Sequence, residues 1–118
     1  MTNPYGVPAY TALDVAARRA RGEQFVLLDV REPFELELAN LGDDVVNTPL
    51  SELAARREAA LPAALADRDA EVIVLCHHGN RSAQVTAWLR DVGYTRVFNL
   101  DGGIDAWARD VDPSVGSY

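Results

Sequence analysis

The sequence is poor in thiols, in long apolar runs and in positive charge. Cys76 is the only cysteine among 118 residues, which excludes an internal disulfide and a zinc site built on several thiolates. No apolar stretch approaches the roughly 20 residues of a membrane-spanning helix. Residues 1–6 lack the charged-then-apolar pattern of a signal peptide. We therefore expect no contact with a membrane, and a cytoplasmic location, because a reducing compartment suits a lone reactive thiol.

Basic residues are outnumbered, with 11 Lys and Arg against 18 Asp and Glu, for a net charge of −7. This balance argues against a nucleic-acid partner, which requires a basic face. It also creates a field that repels small anions. The length is near the commonest domain size, so we expect one compact domain over residues 1–118.

The most informative segment is 72–84, in which an all-apolar run leads into the single cysteine. Residues 72–75 are typical of a strand buried on both faces of a parallel sheet. Cys76 follows directly, then a short loop containing Gly79, and then Arg81 at the start of a helix-like segment. Ligands of open parallel sheets bind just beyond the carboxyl ends of the strands, which is where Cys76 is predicted to lie.

This arrangement favours a stabilised thiolate nucleophile at Cys76. A tight turn directs successive backbone N–H groups inward, and the helix start adds further free N–H groups. A helix dipole supplies only about 0.3–1 kcal/mol, so direct N–H···S bonds and the charge of Arg81 would contribute most of the stabilisation. The alternative is a buried, inert cysteine, but the neighbouring Gly79 and Arg81 argue against it.

Around this segment, strand-like and helix-like patterns alternate along the chain. We predict helices from Thr11 as N-cap to Arg21, over 33–39, from Ser51 as N-cap to Ala60, over 82–92, and in a last segment carrying Trp107. Strands are predicted at 25–28, 45–46, 72–75 and 97–100. The alternation implies parallel strands, right-handed crossovers and helices on both faces of an α/β sheet.

The spacing between cysteine and arginine narrows the chemistry. Four residues separate Cys76 from Arg81, whereas cysteine-dependent phosphatases carry one more residue there and form a wider loop. The pattern Cys76-x-x-Gly79-x-Arg81-Ser82 resembles the active loop of rhodanese-like sulfurtransferases. Two further segments, 28–35 and 99–107, resemble the same family, so the likeness extends from about Tyr10 to Trp107.

The resemblance implies a rhodanese-like three-layer fold with a mainly parallel, five-stranded central sheet. It also implies a sulfurtransferase that needs no metal and no cofactor. A sulfur atom would pass from thiosulfate or a protein persulfide to Cys76, and then to cyanide, a thiol or a sulfur-carrier protein. Cys76 would be catalytic and Asp29 and Ser82 supporting. The substrate-binding residues would be His77, His78, Gly79, Asn80, Arg81 and Arg31.

Several alternatives remain open at this point. Asp29 and Arg31 could form a purely structural pair, and Ser82 could either cap its helix or donate to the sulfur. We expect His77 and His78 to point apart and to line the rim of the pocket. The other function classes are a non-enzymatic partner-binding module and a small cysteine-dependent phosphatase, and we expect a monomer or a weak dimer.

Two segments refine the resemblance. Many family members carry His-Ile-Pro-Gly-Ala before the third strand, whereas residues 40–47 here lack that histidine and proline and contain two aspartates. The ending, residues 111–118, resembles rhodanese domains fused to enzymes that activate small sulfur-carrier proteins.

Overall fold

A sheet of five parallel strands lies at the centre of the computed structural model, which describes Asn3 and residues 5–118. In chain order the strands are β1 (Ala9–Tyr10), β2 (Val26–Asp29), β3 (Val46–Asn47), β4 (Val72–Leu75) and β5 (Val97–Leu100). Their order across the sheet is β1-β5-β4-β2-β3, and every pairing is parallel. Met1, Thr2 and Pro4 lie outside the described residues, so the expected absence of a signal peptide in 1–6 stays a prediction.

Within residues 5–118, five α-helices cover the two faces of the sheet. They are α1 (Ala12–Ala20), α2 (Pro33–Leu36), α3 (Leu50–Arg56), α4 (Asn80–Asp91) and α5 (Gly103–Asp110), with short 3-10 helices at Arg57–Ala60, Ala63–Leu65 and Pro113–Val115. This confirms the predicted three-layer α/β architecture. None of the helices in the described part of the chain is long and apolar enough to cross a membrane.

Strand β4 divides the core in two because successive side chains point to opposite faces. Ile73 and Leu75 pack in a cluster with residues of α1 and α5, including Trp107. Val72 and Val74 pack in a second cluster with residues of α3 and α4. All four β4 side chains are buried, so the strand holds the following residue, Cys76, on a rigid central support.

Of the two N-caps predicted from the sequence, one is observed and one is not. Thr11 caps α1 as predicted, in a capping box with Asp14. The prediction that Ser51 caps the next helix is wrong: α3 begins at Leu50 after Pro49. The Ser51 hydroxyl instead donates to Glu32 Oε1 at 2.6 Å, and this partner is distant in the sequence.

Several other boundaries differ from the predictions: α3 ends at Arg56 and not at Ala60, and β2 and β3 each lie one residue later than predicted. Helix α2 ends at Leu36, three residues early, whereas α4 begins at Asn80, two residues before the predicted start. Strand β1 was not predicted at all, because two residues are too short to carry a period-2 pattern. It exists through its parallel pairing with β5.

The atypical segment 40–47 is tied to the end of β2 by Asn47. Its side-chain N–H groups donate to the backbone oxygens of Asp29 and Arg31, both at 2.9 Å. Leu41 packs into the core beside α1. Segment 40–47 is therefore well anchored even though it lacks the histidine and proline found in many family members.

Candidate active site

Cys76 lies immediately after β4, and the start of α5 fixes the orientation of the loop that follows it. The backbone N–H of Ile104 donates to the Cys76 carbonyl at 2.9 Å, and that of Asp105 donates to the His77 carbonyl at 3.0 Å. Because these carbonyls are held toward α5, the loop can turn its own N–H groups toward the sulfur.

Three donors lie within hydrogen-bonding distance of the Cys76 sulfur. They are the backbone N–H of Gly79 at 3.1 Å, the backbone N–H of Ser82 at 3.4 Å and the Ser82 hydroxyl at 3.3 Å. Gly79 has φ +99°, and a Cβ there would lie 2.8 Å from the Gly102 nitrogen, so a larger residue would not fit. The loop encloses a sulfur whose residue is only 1% exposed, in an arrangement that stabilises negative charge.

Arg81 does not present a free cation to this loop. Its two terminal nitrogens bind both carboxylate oxygens of Glu35, each at 2.8 Å. The Glu35 side chain is 8% exposed, and its hydrogen bonds with Arg81 lower the pKa of the carboxyl to about 2. The ion pair explains why a cation is tolerated at a helix start, where the dipole opposes it.

This ion pair predicts acid-sensitive stability. Glu35 has a folded pKa of about 2 against an ordinary value of 4.5, so its contribution is complete above pH 4.5 and is lost as the pH falls toward 2. The shift corresponds to roughly 3 kcal/mol. We expect Glu35→Gln to lower the free energy of unfolding at pH 7 and to matter little near pH 2, measured by urea unfolding of both proteins. A difference that is constant across this range would contradict the prediction.

Arg31 is completely buried and all of its guanidinium nitrogens are occupied. It binds the Asp29 carboxylate at 2.7 Å, the backbone oxygens of Glu35 at 3.2 Å and Ala39 at 2.8 Å, and the Tyr118 hydroxyl at 3.0 Å. No donor is left for a substrate in this arrangement. The geometry therefore favours the structural alternative for the Asp29–Arg31 pair over the expected substrate contact.

The end of the described chain folds back onto the loop through Tyr118. Its ring stacks on His77, with centroids 3.7 Å apart and planes 6° apart. Its hydroxyl donates to Glu35 Oε1 at 2.9 Å while accepting from Arg31. Tyr118 thus joins the two arginine–carboxylate pairs beside the loop, a role that the sequence analysis did not anticipate.

The expectation that His77 and His78 point apart is wrong. Their ring centroids are 3.9 Å apart, and His78 Nδ1 lies 3.7 Å from Asp105 Oδ2. Burial, followed by the neighbouring His78, lowers the pKa of His77, so His77 is neutral at pH 7. His78 and Asn80 are exposed at the mouth of the loop.

His77, His78 and Asp105 form a candidate metal cluster, since one ligand atom of each lies within 4.8 Å of the others. Imidazole lone pairs lie in the ring plane, and these two rings have centroids 3.9 Å apart and planes tilted by only 30°. The lone pairs therefore do not converge on one point as zinc coordination requires. The residues as placed do not fit a metal site.

Asn99, buried on β5, forms the back of the site. Its Oδ1 lies 2.5 Å from the Ser82 hydroxyl, and its amide donates to the Gly79 carbonyl at 3.1 Å and to Asp101 Oδ1 at 2.7 Å. Asn99 lies in segment 99–107, which resembles the rhodanese family, but no role was predicted for it. A polar residue in an otherwise apolar strand was the available signal.

Comparisons with known proteins agree with this geometry. The sequence model of the family described as Rhodanese-like domain matches residues 11–110. The chain belongs to the rhodanese family. It is 37% identical over 101 residues to a sulfurtransferase of Allochromatium vinosum, with 86% of this chain and 88% of that protein covered.

A rhodanese-related protein from Thermoplasma volcanium has the same fold, with a TM-score of 0.72 at 32% identity, covering 88% of this chain and 93% of that one. Longer rhodanese proteins also match. Adenylyltransferase and sulfurtransferase MOCS3-1 of Zea mays is 38% identical over 99 residues, covering 82% of this chain. This chain spans only 20 to 30% of the length of the longer relatives.

Proposed function

We propose that this rhodanese is a sulfurtransferase that carries sulfur as a persulfide on Cys76. The observation that supports it most is the convergence of the Gly79 and Ser82 backbone N–H groups on one sulfur, with the Ser82 hydroxyl beside them. Relatives named sulfurtransferases match over most of their length and support the same reaction class. The cytoplasm is the compartment that suits this thiol chemistry.

The reaction has two halves. The Cys76 thiolate attacks the outer sulfur of thiosulfate; the S–S bond of the donor breaks, and sulfite leaves with the electron pair. An acceptor nucleophile, such as cyanide, a free thiolate or a thiolate group of a sulfur-carrier protein, then attacks the outer sulfur and takes it. The bond to Cys76 breaks and regenerates the thiolate, so ping-pong kinetics are expected. Neither half requires a metal or an organic cofactor.

Binding roles follow from position. His77, His78 and Asn80 line the mouth of the loop and would contact the donor. The N–H groups of Gly79 and Ser82 would hold the reacting sulfur. Arg81 would lie beside the donor with its charge largely neutralised by Glu35, and Asp29 would support the site through Arg31. The protein would act as a monomer or a weak dimer.

The charges around the loop make thiosulfate a poor donor and a persulfide a better one. Thiosulfate is a dianion, the chain carries net charge −7, and Glu35 already neutralises Arg81. His77 adds no charge at pH 7 because burial lowers its pKa. We therefore expect a high KM for thiosulfate, and better loading from a persulfide group delivered by another protein.

Glu35→Gln should improve the use of thiosulfate. The change keeps the shape of the side chain but leaves Arg81 without its counter-charge. We expect the KM for thiosulfate to fall by about 3- to 10-fold, because one uncompensated charge near the loop attracts a dianion. The matched control is Glu37→Gln, an exposed carboxylate on the same segment. Equal KM changes in the two variants would mean that only net charge matters.

Separate measurement of the two half-reactions tests the proposed function. The protein is mixed with excess thiosulfate, and the amount of sulfite released per protein is measured. After desalting, cyanide is added and the amount of thiocyanate formed is measured. We expect one equivalent of each per protein. Hydrolysis of an aryl phosphate with no sulfite release would support the phosphatase alternative. Inertness toward thiosulfate, small persulfides and aryl phosphates would support a partner-binding module.

A further inference from the structure

We propose that Asn99 is a positioning residue that opposes ionisation of Cys76 by holding the single proton of the Ser82 hydroxyl. This inference rests on the proposed persulfide chemistry of Cys76 for its biological meaning. It concerns a residue that has no hydrogen bond to the sulfur, and the effect on ionisation is transmitted through Ser82.

The hydrogen bonds of Asn99 fix its orientation. The amide nitrogen faces two acceptors, the Gly79 carbonyl at 3.1 Å and Asp101 Oδ1 at 2.7 Å. Both of its protons are therefore used, and rotation of the amide by 180° would place oxygen against oxygen. The carbonyl oxygen of Asn99 can only accept, and the group that faces it is the Ser82 hydroxyl at 2.5 Å.

The Ser82 hydroxyl has one proton and two possible acceptors. Asn99 Oδ1 is the nearer at 2.5 Å, and the Cys76 sulfur lies at 3.3 Å. When the hydroxyl proton of Ser82 is donated to Asn99, the side of the Ser82 oxygen that faces the sulfur carries only lone pairs. A thiol S–H can donate to those lone pairs, so the protonated form of Cys76 satisfies all three groups.

Ionisation of Cys76 breaks this arrangement. A thiolate has no proton to give, so either it faces the lone pairs of the Ser82 oxygen or Asn99 Oδ1 loses its only donor in the buried site. Both outcomes cost free energy. Asn99 thus counteracts the backbone N–H groups of Gly79 and Ser82, which favour the thiolate.

The consequence for the reaction lies in the second half. The Cys76 thiolate is the leaving group when the outer sulfur departs, and a less stable thiolate leaves more slowly. The outer sulfur of a persulfide carries the charge, so Sγ then needs no third donor. Asn99 would therefore lengthen the life of the persulfide until a specific acceptor arrives.

Several charged or titratable groups surround Cys76, and the test must separate Asn99 from them. His77, His78 and Arg81 belong to its own loop, Glu35 comes from α2, Asp101 and Asp105 from the β5–α5 side, and Tyr118 from the chain end. A double-mutant cycle of Asn99 and Ser82 leaves these side chains in place, and it cancels the loss of the Asn99 hydrogen bond to Asp101, which occurs in both backgrounds.

The experiment measures the rate of Cys76 alkylation by iodoacetamide against pH in four proteins: the parent, Asn99→Leu, Ser82→Ala and the double variant. We expect Asn99→Leu to move the midpoint by about half to one pH unit toward lower pH, because Ser82 can then donate to the thiolate. Ser82→Ala should leave the midpoint unchanged or lower it by less than Asn99→Leu does, because it removes both the acceptor of the S–H proton and the possible donor to the thiolate. Asn99→Leu should produce no further shift in the Ser82→Ala background.

Two results would overturn the inference. An equal shift by Asn99→Leu in both backgrounds would mean that the loop has rearranged. A midpoint raised by about one pH unit in Ser82→Ala would mean that Ser82 donates to the sulfur in the parent. If Asn99→Leu does not fold, the midpoint of Ser82→Ala is sufficient to test the inference. Alkylation requires no sulfur donor, so failure of sulfur transfer and failure of this inference are distinguishable.

Discussion

A Cys76→Ser variant will fold like the parent and will transfer no sulfur. The serine hydroxyl can accept hydrogen bonds from the same N–H groups of Gly79 and Ser82, so the loop keeps its polar interactions. An alcohol cannot form the persulfide, and the chain has no second thiol to replace it. We expect thiosulfate:cyanide turnover to fall by at least about a thousandfold.

The comparison needs a thermal melt and an activity assay on the same preparations. A melting temperature within a few degrees of the parent, together with lost turnover, would show that only the chemistry has changed. Substantial turnover by Cys76→Ser would rule out a covalent role for this cysteine.

Gly103→Ala will inactivate the site without touching any reacting group. Gly103 has φ +60°, and a Cβ there would lie 2.4 Å from the Cys76 carbonyl oxygen and 2.5 Å from that of His77. Those are the two carbonyls that α5 holds. The clash must push the loop away from α5 and misdirect the N–H groups from the sulfur. We expect kcat/KM to fall by about a hundredfold or more, and stability to fall by about 1–3 kcal/mol.

Gly22→Ala is the matched control. Gly22 also has a positive φ, +73°, but no atom of the described residues lies within 4 Å of a Cβ built there. It should lose about 1 kcal/mol or more of stability through backbone strain alone and keep its activity. Parallel kinetics and urea unfolding separate the two effects. Comparable activity losses in Gly22→Ala and Gly103→Ala would exclude a specific role for the contact between α5 and the loop.

The local parts of the fold were predictable from the sequence. Residues 72–75 are all apolar and form the buried strand β4, and Thr11 is followed three residues later by an acidic partner that completes its capping box. Such signals lie within a few residues of one another, so a single sequence displays them.

The predictions that were wrong or missing concern contacts between residues that are distant in the sequence. Glu35 and Arg81 are 46 residues apart, and no local pattern pairs them, so the charge of Arg81 was expected to stabilise the Cys76 thiolate with no counter-charge identified. Tyr118 reaches Arg31 across 87 residues. The two-residue strand β1 likewise exists only because β5 lies beside it. In the candidate site, the nucleophile and its loop followed from spacing, whereas the partners that set its charge did not.

The most direct test of the account is the intact mass of the protein after incubation with thiosulfate or a small persulfide, followed by desalting. We expect one sulfur atom to be added to Cys76 and then removed by cyanide, and none to be added to Cys76→Ser. An unchanged mass with both donors, or a sulfur that cyanide cannot remove, would contradict a persulfide-carrying Cys76.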